Sequence, residues 1–315
     1  MYYISVLDLK QNPLGSQGIK ILSKGIARSN SLVHLDLRST AMRKEAADSL
    51  FKALCLNKTL VCLHLGNVRG LYRNLLSGKA IIGIKKYLKT TMVLTFLELK
   101  GAGIGNEGLQ YVYSGLIGNK SVKVLDVSSN NITGAGSPSI IGIMVKSLIK
   151  RLDMSHNPLG NEFVTEIYNN MKNMQFMLTH LSLSSCGFIG DSLEHLFHVL
   201  KNGMLLEKVD ISNANFEESD LSSIIWFLTD CTSLKFFNLA DCHLGDKGAR
   251  YIATALTDNS PIEKLNLSRN RITNTGVMAL TDRLATLQKI NITSLDLSYN
   301  WIEVLLIKYT RMKEE

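Results

Sequence analysis

The stretch "IEKLNLSRNRITNTG", Ile262 to Gly276, changes period within fifteen residues. Leu265 and Leu267 alternate with polar neighbours, the mark of a short strand with both leucines on one face. The strand phrase inside it, "LNLSRN", has close relatives elsewhere: "LDLKQN" at Leu7, "LDVSSN" at Leu125, "LDMSHN" at Leu152 and "LDLSYN" at Leu295. Aligning on the first apolar residue of the phrase collects Leu7, Leu35, Leu63, Leu97, Leu125, Leu152, Leu181, Val209, Phe237, Leu265 and Leu295, at spacings of 28, 28, 34, 28, 27, 29, 28, 28, 28 and 30. Self-similarity at a period in the twenties is the signature of stacked supersecondary units. The chain therefore reads as one repeat array, 1–315, of about eleven units.

The second half of each unit is helical in pattern. In "GDKGARYIATALTDN", Ala249, Ile252, Ala253 and Leu256 fall at helical spacing. Asp246 just ahead of them has the chemistry of an N-cap, and Ser16, Asn106, Asp191 and Asn274 hold the same slot in their own units. A strand and a helix of this length cannot each bury an apolar face alone, so neighbouring units must stack, strands on one side and helices on the other.

At this point the chain resembles the leucine-rich repeat. The pattern LxxLxLxxNxLGxxG, carried by Ile262 to Gly276 and by "VKVLDVSSNNITGAG", Val122 to Gly136, is similar to the longer ribonuclease-inhibitor-like subclass. The resemblance implies an α/β fold: a leucine-rich repeat solenoid, a curved horseshoe with parallel strands on the concave face and helices on the convex face. It also implies a protein–protein interaction scaffold without enzymatic activity, since proteins of this subclass, ribonuclease inhibitor, immune-receptor sensors, tropomodulin and cilium-associated repeat proteins among them, mostly act as rigid docking surfaces.

Composition fits a continuous core: 45% of residues are hydrophobic and 20% charged. "MYYIS" leads straight into the first strand, and no stretch approaches eighteen uncharged apolar residues, so a signal peptide and a membrane span are not expected. Of the five cysteines, Cys186 and Cys242 sit where other units carry Asn12, Asn130, Asn157, Asn270 and Asn300, the inward-turning residue after the strand, and Cys55, Cys62 and Cys231 fall on apolar positions. The odd number without paired spacing points to reduced thiols and a cytoplasmic protein. Five N-x-S/T sequons, at Asn57, Asn119, Asn131, Asn266 and Asn291, then read as products of asparagine-rich turns.

Signs of small-molecule chemistry dissolve on inspection. "GIGNEG", Gly103 to Gly108, matches a dinucleotide-binding fingerprint, but "LGSQG" and "LGDKG" repeat its last two glycines in register, and Asp126 belongs to a column with Asp8, Asp36, Glu98, Asp153, Asp210 and Asp296. Serines 128, 155, 184, 212, 268 and 298 form a second column of the same grammar. His195 and His198 share a helix face without a third ligand nearby; Cys62 and His64 share a strand, but Cys55 lies on the preceding helix. The expectation is no catalytic residue, no metal and no cofactor.

One region stands apart. Between Arg38 and Lys100 twelve Lys or Arg residues face three acidic ones, a net of +9, while the whole chain carries +8. There Thr40, Val68 and Ala102 stand in the asparagine slot, and the third unit is lengthened by "GNVRGLYRNLLSGK", Gly66 to Lys79. Loops that deviate from a regular scaffold are preferred places for function. The expected partner site is Arg38, Arg43, Lys44, Arg69, Tyr72, Arg73, Lys79 and Lys100, docking an acidic protein surface such as tubulin tails or another cytoskeletal component, in a cilium for instance. Nucleic acid is disfavoured, because a recognition helix, an aromatic stacking series and a basic stripe are all missing from the sequence. A resemblance to the GTPase-activating protein of Ran, which uses a loop arginine and asparagine, leaves a second reading open through Arg69.

The ends complete the expectations. At the C-terminus, 301–315 supplies a cap, with Trp301, Ile302, Leu305 and Leu306 facing the preceding unit. Tyr2, Tyr3 and Ile4 run directly into strand one, which leaves an apolar edge for contact with another subunit of a larger complex.

Overall fold

In a computed structural model, describing residues 3–68, 70, 72–190 and 192–303, eleven strands form a single parallel sheet in chain order. They are β1 Val6–Asp8, β2 His34–Asp36, β3 Cys62–His64, β4 Phe96–Glu98, β5 Val124–Asp126, β6 Arg151–Asp153, β7 His180–Ser182, β8 Lys208–Asp210, β9 Phe236–Asn238, β10 Lys264–Asn266 and β11 Ser294–Asp296. Each is three residues long, and the central residues pair in one row, Leu7 with Leu35, Leu35 with Leu63 and so on to Leu295. That row is the sequence alignment itself, so the repeat register is the sheet register.

Among the described residues ten α-helices cross back between strands: α1 Gly15–Arg28, α2 Lys44–Leu56, α3 Ile82–Thr90, α4 Gly105–Leu116, α5 Ser137–Lys146, α6 Gly160–Met171, α7 Ser192–Leu200, α8 Ser223–Asp230, α9 Gly245–Ala255 and α10 Asn274–Thr286. Between the two layers runs one continuous core, built from the strand-centre residues, the apolar residues two places on and the inner helix faces; in unit ten these are Leu265, Leu267 and Leu280. The helix layer needs this packing, because helices of eight to fourteen residues are marginal in water on their own.

Polar side chains knit the units. Asn130, Asn157 and Asn270 are fully buried. The Asn157 Oδ1 accepts from the Asn130 and Ile132 amides, and its Nδ2 donates to the Val127 and Met154 carbonyls. Cys186 and Cys242 occupy that slot as expected: each is buried, and each thiol approaches a carbonyl of the preceding unit, Met154 at 3.4 Å and Ile211 at 3.5 Å. Two sequon asparagines form a similar clasp at the other end of the units. Asn57 donates to the Ile26 and Ser29 carbonyls and Asn119 to those of Leu88 and Thr91, so both side chains are internal cement.

The acidic column is structural too. Asp8, Asp36, Glu98, Asp126, Asp153, Asp210 and Asp296 each accept from the backbone amide two residues on, which closes the turn leaving the strand.

Two expectations are corrected. Asp246 and Asn106 are the second residues of α9 and α4 and cap no end of their own helices. They reach forward instead: Asp246 accepts from the Thr273 and Gly276 amides, and Asn106 accepts from the Thr133 amide. Ser16 likewise lies inside α1 and Asn274 opens α10, whose N-cap is Thr273; Asp191 lies outside the described residues. The physical reason is stacking, since a side chain on the first turn is closer to the next unit's unpaired amides than to its own.

Unit three supplies the second correction. Its ladder residue is not Val68 but Asn74, six places later, fully buried. Asn74 Oδ1 accepts from the Thr40 and Met42 amides, and its Nδ2 donates to the Leu37, Leu65 and Gly66 carbonyls. The six extra residues are thus looped out ahead of an intact ladder position.

At the C-terminal end Trp301 and Ile302 are exposed, with the Trp301 ring 6.0 Å from the Arg271 guanidinium of the preceding unit. The rest of the expected cap, Leu305 and Leu306 included, lies outside the described residues.

Candidate functional site

The looped-out segment of unit three stands over the sheet. Its root is fixed by Asn67, buried, whose Oδ1 accepts from the Asn74 amide and whose Nδ2 donates to the Asn74 and Gly101 carbonyls. In every unit but the third, the third residue past the strand has a left-handed backbone, from Gln11 through Gly101 and His156 to Tyr299. The loop and the neighbouring strands enclose a groove of about 970 Å³ lined by Arg38, His64, Arg73, Glu98, Lys100 and His156 among others.

The expected basic residues divide into sets. Arg73 and Lys100 are exposed and line the groove. Arg38 lines it too, but its guanidinium is engaged by Asp36 at 2.5 Å and lies 3.7 Å from Glu98. Burial works against ionised Asp36, yet the hydrogen bonds from Arg38 outweigh it and hold the carboxyl below the usual range. Arg38 is therefore a neutralised structural cation. Arg43 and Lys44 are exposed at the head of α2, outside the groove lining. Tyr72 is 39% exposed, and its carbonyl accepts from the Ala41 amide, tying the loop to unit two. Lys79 lies in a short 3-10 turn, Gly78–Ala80, before α3, and only its backbone is described. Arg69 and Tyr2 lie outside the described residues. At the β1 edge Tyr3 is almost fully exposed, and Ile4 and Val6 are exposed beside it.

Beside the groove lies an arrangement that sequence reasoning split apart. His34 on β2 pairs in register with Cys62 on β3, and His64 is two residues further along β3 on the same face. The Cys62 thiol is 3.3 Å from His64 Nε2, and His64 Nδ1 is 3.0 Å from Glu98 Oε2 on β4. Rings line up across the strands, His34 to His64 at 5.1 Å and His64 to Phe96 at 4.9 Å. Desolvation alone would depress His64, but its hydrogen bonds to Cys62 and Glu98 prevail and raise it to about 9. His34 is lowered, first by burial and then by the charge of His64. Cys55, near in sequence, packs from α2 against the core. The signal that finds His34 is the repeat itself, because it stands one period of 28 residues before Cys62.

Glu98 reaches His64 because it is one methylene longer than the aspartates of its column. Unit three makes room with Gly66, where a Cβ would collide with the Glu98 carboxylate and the Lys100 backbone. Further along the face, Asp126 is raised to about 6, chiefly by burial and next by the Asp153 carboxylate.

The remaining motifs are absorbed by the fold. Gly103 and Gly105 have positive φ and donate to the Asn130 side chain and carbonyl, as repeat turns do. His195 and His198 pack on Tyr168 of the previous helix at 4.1 and 6.0 Å, and His198 also on Trp226 of the next at 4.5 Å.

Comparison with known proteins agrees with this geometry. A family model described as "Leucine Rich repeat" matches residues 92–112, 118–136, 175–192, 230–253, 258–280 and 288–304. Mouse NACHT, LRR and PYD domains-containing protein 14 is 26% identical over 264 residues, 82% of this chain and 26% of that protein. Pig ribonuclease inhibitor is 23% identical over 308 residues, 88% of this chain and 67% of the inhibitor. Mouse capping protein, Arp2/3 and myosin-I linker protein 3 is 28% identical over 292 residues, 88% of this chain and 20% of that protein. The chain thus spans about a quarter or less of two of these relatives and two thirds of the third. No helix among the described residues is long and apolar enough to cross a membrane. With six matched repeats, an eleven-stranded parallel sheet and a ribonuclease inhibitor relative aligned along most of its length, the chain is a leucine-rich-repeat protein of the ribonuclease-inhibitor-like type.

Proposed function

We propose that the chain is a non-enzymatic, cytosolic docking scaffold that holds an acidic protein surface over the groove of units two to four. The observation that carries this reading is the loop of unit three. Asn67 and Asn74 anchor it through buried hydrogen bonds, and it sets Arg73 beside Lys100 on an exposed face. Both side chains are without an ion pair among the described residues, in contrast to Arg38. A rigid, unneutralised pair of cations attracts carboxylates from solution, whereas a floppy pair would lose entropy on capture. Arg69 and Tyr72 of the same loop belong to the proposed contact, with Arg43, Lys44 and Lys79 extending the field around it.

The proposed partner chemistry is that of acidic tubulin tails, in a cilium for instance, and a relative whose name links it to capping protein, Arp2/3 and myosin-I supports a cytoskeletal setting. The proposal includes a neighbouring subunit over the β1 edge, since Tyr3, Ile4 and Val6 are exposed where the sheet has no further strand among the described residues.

The test is binding of a glutamate-rich tubulin-tail peptide to the intact chain, compared with a variant carrying Arg69, Tyr72 and Arg73 changed to Ala, and with R73E/K100E. Affinity is expected to fall in both variants and to weaken with salt, because exposed charges are screened within about 10 Å at 0.1 M ionic strength. Binding indifferent to salt, or equal in all three proteins, overturns the reading.

A further inference from the structure

The sheet face carries two imidazoles and a thiol in a cluster that the docking role does not use. The donor atoms of His34, Cys62 and His64 all lie within 4.8 Å of one another, and all three residues are half-buried. We propose that His34, Cys62 and His64 form a mononuclear site for a zinc-class divalent ion, with Glu98 as the residue that orients His64.

The argument is geometric. Bonds of about 2.0–2.1 Å to imidazole nitrogen and about 2.3 Å to thiolate, at tetrahedral angles, place ligand atoms roughly 3.3–3.6 Å apart. Cys62 Sγ and His64 Nε2 already stand 3.3 Å apart, and with all three donor atoms within 4.8 Å of one another closure to His34 needs a side-chain movement of about an ångström. The strands fix where the residues start from: His34 and Cys62 are register partners, and Cys62 and His64 share one face of one strand.

A metal-binding histidine typically gives its other ring nitrogen to a carboxylate, which sets the tautomer and leaves the ligating nitrogen aimed at the ion. Glu98 does this for His64 through Nδ1 at 3.0 Å, and so turns Nε2 toward Cys62. Gly66 is the enabling residue, since any side chain there would push the Glu98 carboxylate aside. Ligand type narrows the ion: one thiolate and two imidazoles suit zinc over magnesium or calcium, which take oxygen. His64 also lines the groove, so water supplies a fourth ligand from the groove side.

On binding, the Cys62 thiol and the His64 Nε2–H each give up a proton to solvent, and the freed sulfur and nitrogen lone pairs form the bonds to zinc; nothing is oxidised or reduced. The site is independent of the docking reading, which rests on Arg73 and Lys100, so each fails separately.

The test uses the intact chain, reduced and freed of metal by chelation. Titration with zinc should give one ion per chain at micromolar affinity or tighter, and cobalt substituted for it should show a thiolate-to-cobalt charge-transfer band. C62S should abolish that band, and H34Q should weaken zinc binding by about 100-fold or more, while E98Q should weaken it by about 10–100-fold. C55S should change neither. Zinc should also protect Cys62 from alkylation in the wild-type chain, mapped by peptide mass spectrometry. If C62S fails to fold, H34Q and the protection measurement still decide the matter. Absence of stoichiometric binding, or affinity unchanged in H34Q, overturns the proposal. Binding lost only in H195Q/H198Q overturns it as well, by placing the ion on α7.

Discussion

Asn74 is hydrogen-bonded to the backbone amide of Thr40 at 3.0 Å, although 34 residues separate them. The same side chain also serves the Met42 amide and three carbonyls. One buried amide therefore joins units two and three beneath the loop that carries the proposed docking residues.

Replacing Asn74 by Ala leaves the Thr40 and Met42 amides and the Leu65 carbonyl without their partner, while the Leu37 and Gly66 carbonyls keep the Thr40 hydroxyl and the Ser39 amide. At about 1–3 kcal/mol for each uncompensated group, partly relieved by relaxation, N74A should cost roughly 3–5 kcal/mol. Val68→Ala, in the place that counting along the sequence assigns to the ladder, should cost less than about 1 kcal/mol, since Val68 is only half-buried. Urea unfolding of both variants checks this, and equal losses would move the ladder back to Val68.

Gly66→Ala tests the close approach of Glu98. The added methyl has to displace the carboxylate or the Lys100 backbone, at about 1–3 kcal/mol as for overpacking elsewhere. A crystal structure of the variant should show the His64–Glu98 hydrogen bond broken. A variant as stable as wild type with that bond intact counts against the account.

The thiols of Cys186 and Cys242 are pushed up to about 12, in each case first by burial. Reactivity follows the thiolate. Native-state titration with a disulfide reagent should leave both unmodified while denaturant exposes all five cysteines. Fast native labelling of either would remove it from the ladder.

Asp126 makes stability depend on pH. Its folded-state value near 6 lies above the ordinary 3.8, so the folded chain holds this proton more tightly than the unfolded chain. That contribution is complete below pH 3.8 and is lost as pH rises through 6. Asp126→Asn keeps an acceptor for Ser128 and removes the buried charge next to Asp153. It should therefore be more stable than wild type at pH 8, by at most about 3 kcal/mol, and show no advantage near pH 3.5. Melting curves across that range check the sign; an advantage that grows as pH falls would reverse it.

Tyr3 and Ile4 at the β1 edge bear on the proposed assembly. A chain carrying Tyr3→Lys and Ile4→Lys should lose any self-association or partner binding at that edge, because charge on an unpaired edge blocks strand addition. Mass in solution by light scattering measures it. Identical behaviour of wild type and variant, both as monomers without a partner there, would leave the edge without a function.

Much of this molecule is legible one residue at a time. The alternation of Leu265 with Leu267 and the helical spacing of Ala249, Ile252 and Ala253 set strand and helix, and a period near 28 sets the register, because identical units stacked in order have one way to pair. The thiols in the asparagine slots followed from position alone, since register fixes which side chains turn inward. Tertiary structure decided whatever depends on the neighbouring unit. Asp246 has the chemistry of a cap, but only stacking shows that the amides it satisfies are those of Thr273 and Gly276. Val68 keeps the count and Asn74 keeps the hydrogen bonds, and only the folded loop shows that an insertion of six moved the ladder residue along the chain. His34 and Cys62 are 28 residues apart in sequence and adjacent in the sheet. In a solenoid contacts beyond the unit are made with neighbouring units about a period away, so chemistry is assembled across strands as well as along them.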